Sequence, residues 1–539
     1  MTNPEVLVVG AGFSGIYLMH KLKEANIDAL CVEAAPDLGG TWFLNRYPGC
    51  RCDIESMEYS FTFSEELRNG WDWSEKYSAQ PEILSYVNWV ADKLGVRKNM
   101  IFNTPISKAH WNADEERWHV AAEDGRTWQP RIVIMATGGL TVPKNPDIPG
   151  FENFKGEIYH VADWPNDPID VSDKKLGVIG TGSSGIQVST ALAPVAGHLS
   201  VFQRTPSYSV AAQNKPLSGE EREKFRANWP ALDAWARSSK SGLMTGPAEK
   251  ATMDYTPEEQ QKMLQSAWEQ GGAFHLTAQF TDTRKDEEGN MVVANFVKDR
   301  IRERVKDPKL AELLCPDDLI ATRRICVDTG YYEIFNQENV SLVDTKADAI
   351  VEVTETGLRL ASGEEHPLDI LVLATGYDAI TGALSRIDLK GEDGATITDA
   401  WAEGPKSLYG LGIAGFPNLF TVGGPISPGA LANAFRTIEP MVDWIAGTVS
   451  YMQENNVAVM TPTKESQEKW TEHAAKVAAH TLFTKTKSWY MGTNIPGKPQ
   501  VFMAYAGGVP AYVEKCGNEA AEGYPNFDKR IAGKLDEAS

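Results

Sequence analysis

One arrangement constrains this chain before anything else: a short apolar strand, a glycine turn and an amphipathic helix, occurring twice. Val6-Leu-Val-Val9 runs into Gly10-Ala-Gly12-Phe13-Ser14-Gly15, then IYLMHKLKEANI, then a second strand DALCV that ends at Glu33. From Lys175 the pattern returns as LGVIG, Gly180-Thr181-Gly182-Ser183-Ser184-Gly185, IQVSTALAPVAG and the strand LSVFQ. Each is a βαβ unit. In such a unit the first glycine makes the tight turn and the second lets the backbone approach a pyrophosphate. The third lets the helix pack on the strand, and the helix N-terminus favours negative charge. Each unit has a later partner strand of matching form, RIVIMATGG (131–139) and DILVLATGYD (369–378). The expected fold is α/β, with two dinucleotide-binding, Rossmann-like domains interleaved in sequence. Residues 1–142 and 377–539 are expected to form the first, and 143–209 with 324–376 the second. The stretch 210–323 has helical spacing and dense mixed charge, and reads as a helical insertion in the second domain. A further helix is expected around 463–483, and loops at PGKP and YPNF.

The two units differ where a nucleotide ribose would be read. Glu33 ends the second strand of the first unit, where a carboxylate accepts ribose hydroxyls. The equivalent residue of the second unit is Gln203, followed by Arg204 and Thr205. An acid there would repel a 2′-phosphate, whereas Arg and Thr would bind one. The first site therefore suits FAD and the second NADPH. Together they imply a flavoprotein reduced by NADPH.

Composition narrows the rest. Lys and Arg number 52 against 73 Asp and Glu, a net charge of −21. So acidic a chain lacks the footprint of a nucleic-acid binder, and an anionic membrane surface would repel it. No apolar run reaches the ~18 residues of a membrane span. Six cysteines without a CxxC pair fit a reducing compartment, and a cytoplasmic location is expected. A disulfide reductase needs a redox dithiol, and the one close pair, Cys50 and Cys52, has CxC spacing. Oxygen chemistry is the leading fate of the electrons.

Between the two units lies Phe154-Lys-Gly156-Glu-Ile-Tyr-His160-Val-Ala-Asp-Trp164-Pro165, which fits FxGxxxHxxxW[PD]. Gly39-Gly40-Thr41-Trp42 through Tyr47-Pro-Gly-Cys-Arg51-Cys52-Asp53 fits GGxWxxxxYPGxxxD. On these motifs the chain resembles the type I Baeyer–Villiger monooxygenases over almost its whole length. The resemblance implies that NADPH reduces FAD and that O2 adds at flavin C4a. The resulting peroxide anion would attack a ketone to give an ester or lactone. Sulfides are a further expected substrate, and the alternative is a flavin N- or S-oxygenase.

The same resemblance implies site residues. Arg324 would be the fixed cation beside the oxygenated flavin, oriented by Asp53. FAD contacts would come from Phe13, Ser14, Gly40, Thr41, Trp42, Asp53, Tyr59 and Ile106. NADP contacts would come from Arg51, Cys52 and Asp53, and from Thr181, Gly182, Ser183, Ser184, Gly185, Ile186 and Gln187. Arg323 stands where relatives place a lysine near the 2′-phosphate, and Trp489 near the nicotinamide end. His160 is expected to be structural, between the two nucleotide domains. The likeness weakens over Ser427–Phe435, where Ala434 replaces a larger side chain and implies a wider ketone pocket.

Overall fold

The computed structural model describes residues 3–532. Two five-stranded sheets, each wholly parallel, form its frame. The first runs in the order Leu419–Thr421, Ile132–Met135, Val6–Val9, Ala29–Val32, Met100–Ile101. The second runs Val340–Asp344, His198–Gln203, Lys175–Ile179, Ile370–Leu373, Glu157–His160. Their central strands are four- and five-residue apolar runs because parallel sheets are covered on both faces. The first sheet draws strands from before residue 136 and after 418, and the second lies between them in sequence.

The two later strands that echo each other have a shared task. Gly10 and Gly180 take φ of +108° and +113°. A Cβ on Gly10 would stand 2.5 Å from the Ala136 carbonyl oxygen, and one on Gly180 would stand 2.3 Å from that of Ala374. Each ATG turn therefore closes against its own glycine turn, at the carboxyl ends of the strands where α/β sheets bind ligands.

The stretch from 216 to 314 is helical, as its spacing predicts. Gly219–Ala227 and Pro257–Gln270 begin with reciprocal capping boxes, Ser218 with Glu221 and Thr256 with Glu259. The long helix Glu287–Arg304 buries Val293, Phe296, Val297 and Ile301 in the main core. Lys464–Ala479 is the expected late helix. YPNF is not all loop, because Phe527 opens a strand, Phe527–Ile531, paired antiparallel with Val457–Pro462. A mixed sheet, with Asp388–Lys390 parallel to Ile106–Asn112 and then Arg117–Ala122 and Thr127–Trp128 added antiparallel, packs on the first domain around Trp118 and Trp128. Sequence periodicity had not marked it.

Candidate active site

The segment after Gly39-Gly40 carries the first side of the site to the second domain. Tyr47 donates to Gln187 Oε1 at 2.8 Å, and Gln187 Nε2 donates to the Arg51 carbonyl at 3.0 Å. Gly49 permits this seam: its φ is +80°, and a Cβ there would lie 2.6 Å from the Gln187 carbonyl oxygen. Gln187 sits on the helix Ser183–Leu192, which follows the second glycine turn. The two nucleotide units are thus locked together beside both turns. Arg51 itself turns away, its guanidinium meeting Glu75 at 2.7 Å and the Tyr77 carbonyl. The Cys52 thiol is buried, and burial pushes its pKa up.

Asp53, at the end of that segment, meets Arg324. Nε donates to Oδ2 at 2.9 Å and Nη2 to Oδ1 at 2.5 Å, a bidentate pair between residues 271 positions apart. The charge of Asp53 holds the guanidinium even further above its usual range. Yet 29% of the Arg324 side chain stays exposed, against 16% for Asp53. Arg324 is therefore a permanent cation, fixed in direction by its fork and still open on one side.

What it opens into is a cavity, open to solvent on one side, whose walls include Phe274, Ile325, Leu431, Phe483 and Tyr490. Arg323 and Arg284 also line it. Arg323 is tied by Asp318 at 2.9 Å and donates to the Lys487 carbonyl at 3.0 Å. Arg323 and Arg324 also face a smaller pocket with Ser207 and Tyr208, just past the Arg204–Thr205 corner. Trp489 is half-buried, its ring 4.1 Å from that of Tyr490, which is the one lining the cavity. From the loop before Ala434, Ala430 and Leu431 reach the cavity. Arg284 was not foreseen; it lies in a loop between helices, where spacing carries no signal.

The two glycine turns fit the diphosphates of FAD and NADP. The helices Phe13–Glu24 and Ser183–Leu192 both start at an extended glycine, Gly12 and Gly182, with no side chain capping their amides. A Cβ on Gly182 would meet nothing within 4 Å, so the second turn presents bare backbone. Ser184, Gly185 and Ile186 form the first turns of its helix, and Ser183 Oγ lies 3.5 Å from Cys326 Sγ. Thr181 donates to the Thr205 carbonyl at 2.9 Å. Gln203 turns inward to the Leu313 carbonyl at 2.7 Å, leaving Arg204 exposed beside Thr205.

At the first turn, Glu33 accepts from the amides of Ala11 at 2.6 Å and Ala35 at 2.8 Å, and burial raises its pKa. Ser14 and Gly15 begin the helix, and Phe13 packs its ring on Phe435 and Tyr59 at 4.5 and 5.8 Å. Trp42 Nε1 donates to Tyr59 Oη at 3.2 Å, and Gly40 and Thr41 start the short helix that carries Trp42. Ile106 stands apart from these, in the mixed sheet against the Trp118 cluster. His160 ends a strand of the second sheet. Its Nδ1 accepts from the Ala162 amide at 3.0 Å, and burial lowers its pKa. That geometry suits a turn holder.

Among the described residues no helix is long and apolar enough to cross a membrane, and no cluster of side chains could hold a metal ion. Residues 3–215 match the family model of flavin-binding monooxygenase-like proteins. Cyclohexanone 1,2-monooxygenase of Acinetobacter sp. is 40% identical over 525 residues, covering 96% of each chain. A Baeyer–Villiger monooxygenase of Pseudooceanicola batsensis is 40% identical over 536 residues, covering 98% of this chain and 97% of its own. An oxidised steroid monooxygenase bound to NADP superposes with a TM-score of 0.94 at 39% identity, covering 99% of this chain and all of that one. The fold and the paired turns define a flavoprotein monooxygenase that uses FAD and NADPH. The chain belongs to the Baeyer–Villiger monooxygenases of that family.

Proposed function

We propose that this enzyme inserts one oxygen atom of O2 beside the carbonyl of a ketone, with Arg324 as the residue that makes the site competent. FAD, when bound, supplies the redox chemistry, taking electrons from NADPH and passing them to oxygen. The protein has to offer a shielded site with an immovable positive charge where negative charge develops. The observation that carries the reading is the bidentate Arg324–Asp53 pair opening into that cavity. Asp53 acts by holding the fork still, and no proton need leave Arg324. The 2′-phosphate of NADPH is assigned to Arg204 and Thr205, with Arg323 sharing its charge between that phosphate and Asp318. Glu33 is assigned to the FAD ribose. Residues 1–142 and 377–539 are assigned to FAD, and 143–209 with 324–376 to NADP.

Purified yellow protein given NADPH and a panel of cyclic, linear and aryl ketones should form esters or lactones carrying one atom from 18O2. Arg324→Ala should lower ketone turnover by at least ~100-fold while the flavin stays bound. Arg324→Lys should recover only part of it, because a point charge lacks the fork. Hydrogen peroxide as sole product with every ketone would overturn the reading. Sulfide oxidation that survives Arg324→Ala, with no ester from any ketone, would favour a heteroatom oxygenase instead.

A further inference from the structure

We propose that the ketone this site takes carries a carboxylate, and that Arg284 holds it; the inference rests on the ketone oxygenation argued above. Three guanidiniums face the cavity, and two are matched: Arg324 by Asp53 and Arg323 by Asp318. Arg284 is the third. Among the described residues its one side-chain hydrogen bond runs from Nη2 to the Thr277 hydroxyl at 3.4 Å, and its Nε is buried with no partner. Nε is closed off from the cavity, so what a ligand can reach is the rest of the guanidinium, and a charge facing a cavity without a carboxylate partner is costly unless a ligand answers it.

The acids beside it in sequence are already committed. Asp282 accepts from the Thr252 amide and hydroxyl at 3.0 and 2.7 Å. Asp286 caps the helix Glu287–Arg304 through the Gly289 amide at 2.8 Å, and Glu287 pairs with Lys485. Nor is the loop free to swing the side chain out. The Leu482 amide donates to the Arg284 carbonyl at 2.9 Å, and Asn290 Nδ2 donates to that of Thr283 at 2.7 Å. The arginine is held in place, facing the cavity, with its charge unanswered.

The surroundings add to the same sign. Lys240 is held below the usual lysine range first by burial, then by the neighbouring charges of Lys285 and Arg284. In a chain of net charge −21, this is a local positive field at one edge of the substrate chamber. A guanidinium fork matches a carboxylate with two parallel hydrogen bonds, and only a substrate that carries a carboxylate besides its ketone gains them. Such a keto acid would lie with its carbonyl toward Arg324, its carboxylate on Arg284 and its carbon frame against Phe274 and Phe483. Arg284 is then a specificity residue, with no part in the oxygen transfer.

The test compares 4-oxocyclohexanecarboxylate with its methyl ester, using the FAD holoenzyme and NADPH. The wild type should favour the acid by about tenfold or more in kcat/KM, chiefly through KM. Arg284→Met should abolish that preference and leave the ester within about twofold of wild type, while Arg284→Lys keeps part of it. Equal kcat/KM for acid and ester in the wild type overturns the proposal. So does Arg284→Met lowering both substrates alike, or raising the KM for NADPH, which would make Arg284 a cofactor residue. If neither ketone is oxidised, the ketone reading itself fails. Cyclohexanecarboxylate then still tests the anion site. A rise in holoenzyme Tm that Arg284→Met removes supports it, and no rise in the wild type sinks it.

Discussion

Gly10–Gly15 and Gly180–Gly185 turn through nearly the same backbone, with leading φ values of +108° and +113°. A Cβ on Gly15 or Gly185 would come within 1.9 or 2.0 Å of the carbonyl oxygen of Gly10 or Gly180. In each, the neighbouring parallel strand ends in an ATG turn that closes the same side. They part only at the end of the next strand. There Glu33 points back and ties down the Ala11 amide, whereas Gln203 turns away to the Leu313 carbonyl and hands the position to exposed Arg204. On the proposed assignment, backbone geometry provides for a dinucleotide and one side chain at the strand end selects which. The Tyr47–Gln187–Arg51 seam then joins the two copies.

The largest expected effect comes from damaging each turn in the same way. Gly10→Ala puts a Cβ at 2.5 Å from Ala136 O in a left-handed backbone, and should weaken FAD binding by at least ~100-fold, read as flavin per purified chain. Gly180→Ala sets the same clash against Ala374 O. It should leave the protein yellow and slow NADPH reduction by at least ~100-fold in stopped flow. If Gly180→Ala loses its flavin too, the turns are not independent units and the comparison fails.

Much of this was legible because it is local. A glycine turn, the strand before it and the helix after it lie within thirty residues, and the duplication checks itself. The helical insertion was legible for the same reason, from its helical spacing and dense mixed charge. What spacing alone could not reach was assembly across long separations. Nothing in the residues themselves joins Asp53 to Arg324, 271 positions apart; only a family likeness placed them together. The mixed sheet went unmarked although Trp118, Val120 and Ala122 alternate in plain view, because the neighbouring strand Ile106–Asn112 buries only Ala109 fully and shows no clean period. Arg284 was invisible for another reason. Its neighbours Asp282 and Asp286 make it look like a solvated salt-bridge loop, and only coordinates reveal that both acids are spent elsewhere.

A smaller effect should follow from Arg204. Its exposed guanidinium is the free charge at the second strand end, so Arg204→Ala should cut the NADPH-over-NADH ratio of kcat/KM by roughly 10- to 100-fold. NADH turnover should change little. An unchanged ratio would shift the phosphate to Arg323, and would mean that the strand ends do not divide the two sites as argued.

The smallest effect tests the other strand end. Glu33→Gln keeps the shape but leaves one oxygen to serve both Ala11 and Ala35, with an amide facing the second N–H. Loss of one charge-assisted bond should cost about 1 kcal/mol, roughly fivefold in FAD affinity, measured by fluorescence titration of the apoprotein. The pH response gives a second reading. Burial raises the pKa of Glu33, so the folded chain keeps this proton to higher pH than the unfolded one. Its contribution to apoprotein stability must therefore fall as pH rises past the ordinary carboxylate value of 4.5, and Glu33→Gln must flatten that part of the Tm profile. A variant that binds FAD as tightly as wild type yet flattens the profile would make Glu33 a brace for the glycine turn alone. The ribose would then be read elsewhere in the first domain, and the symmetry between Glu33 and Arg204 would be one of position only.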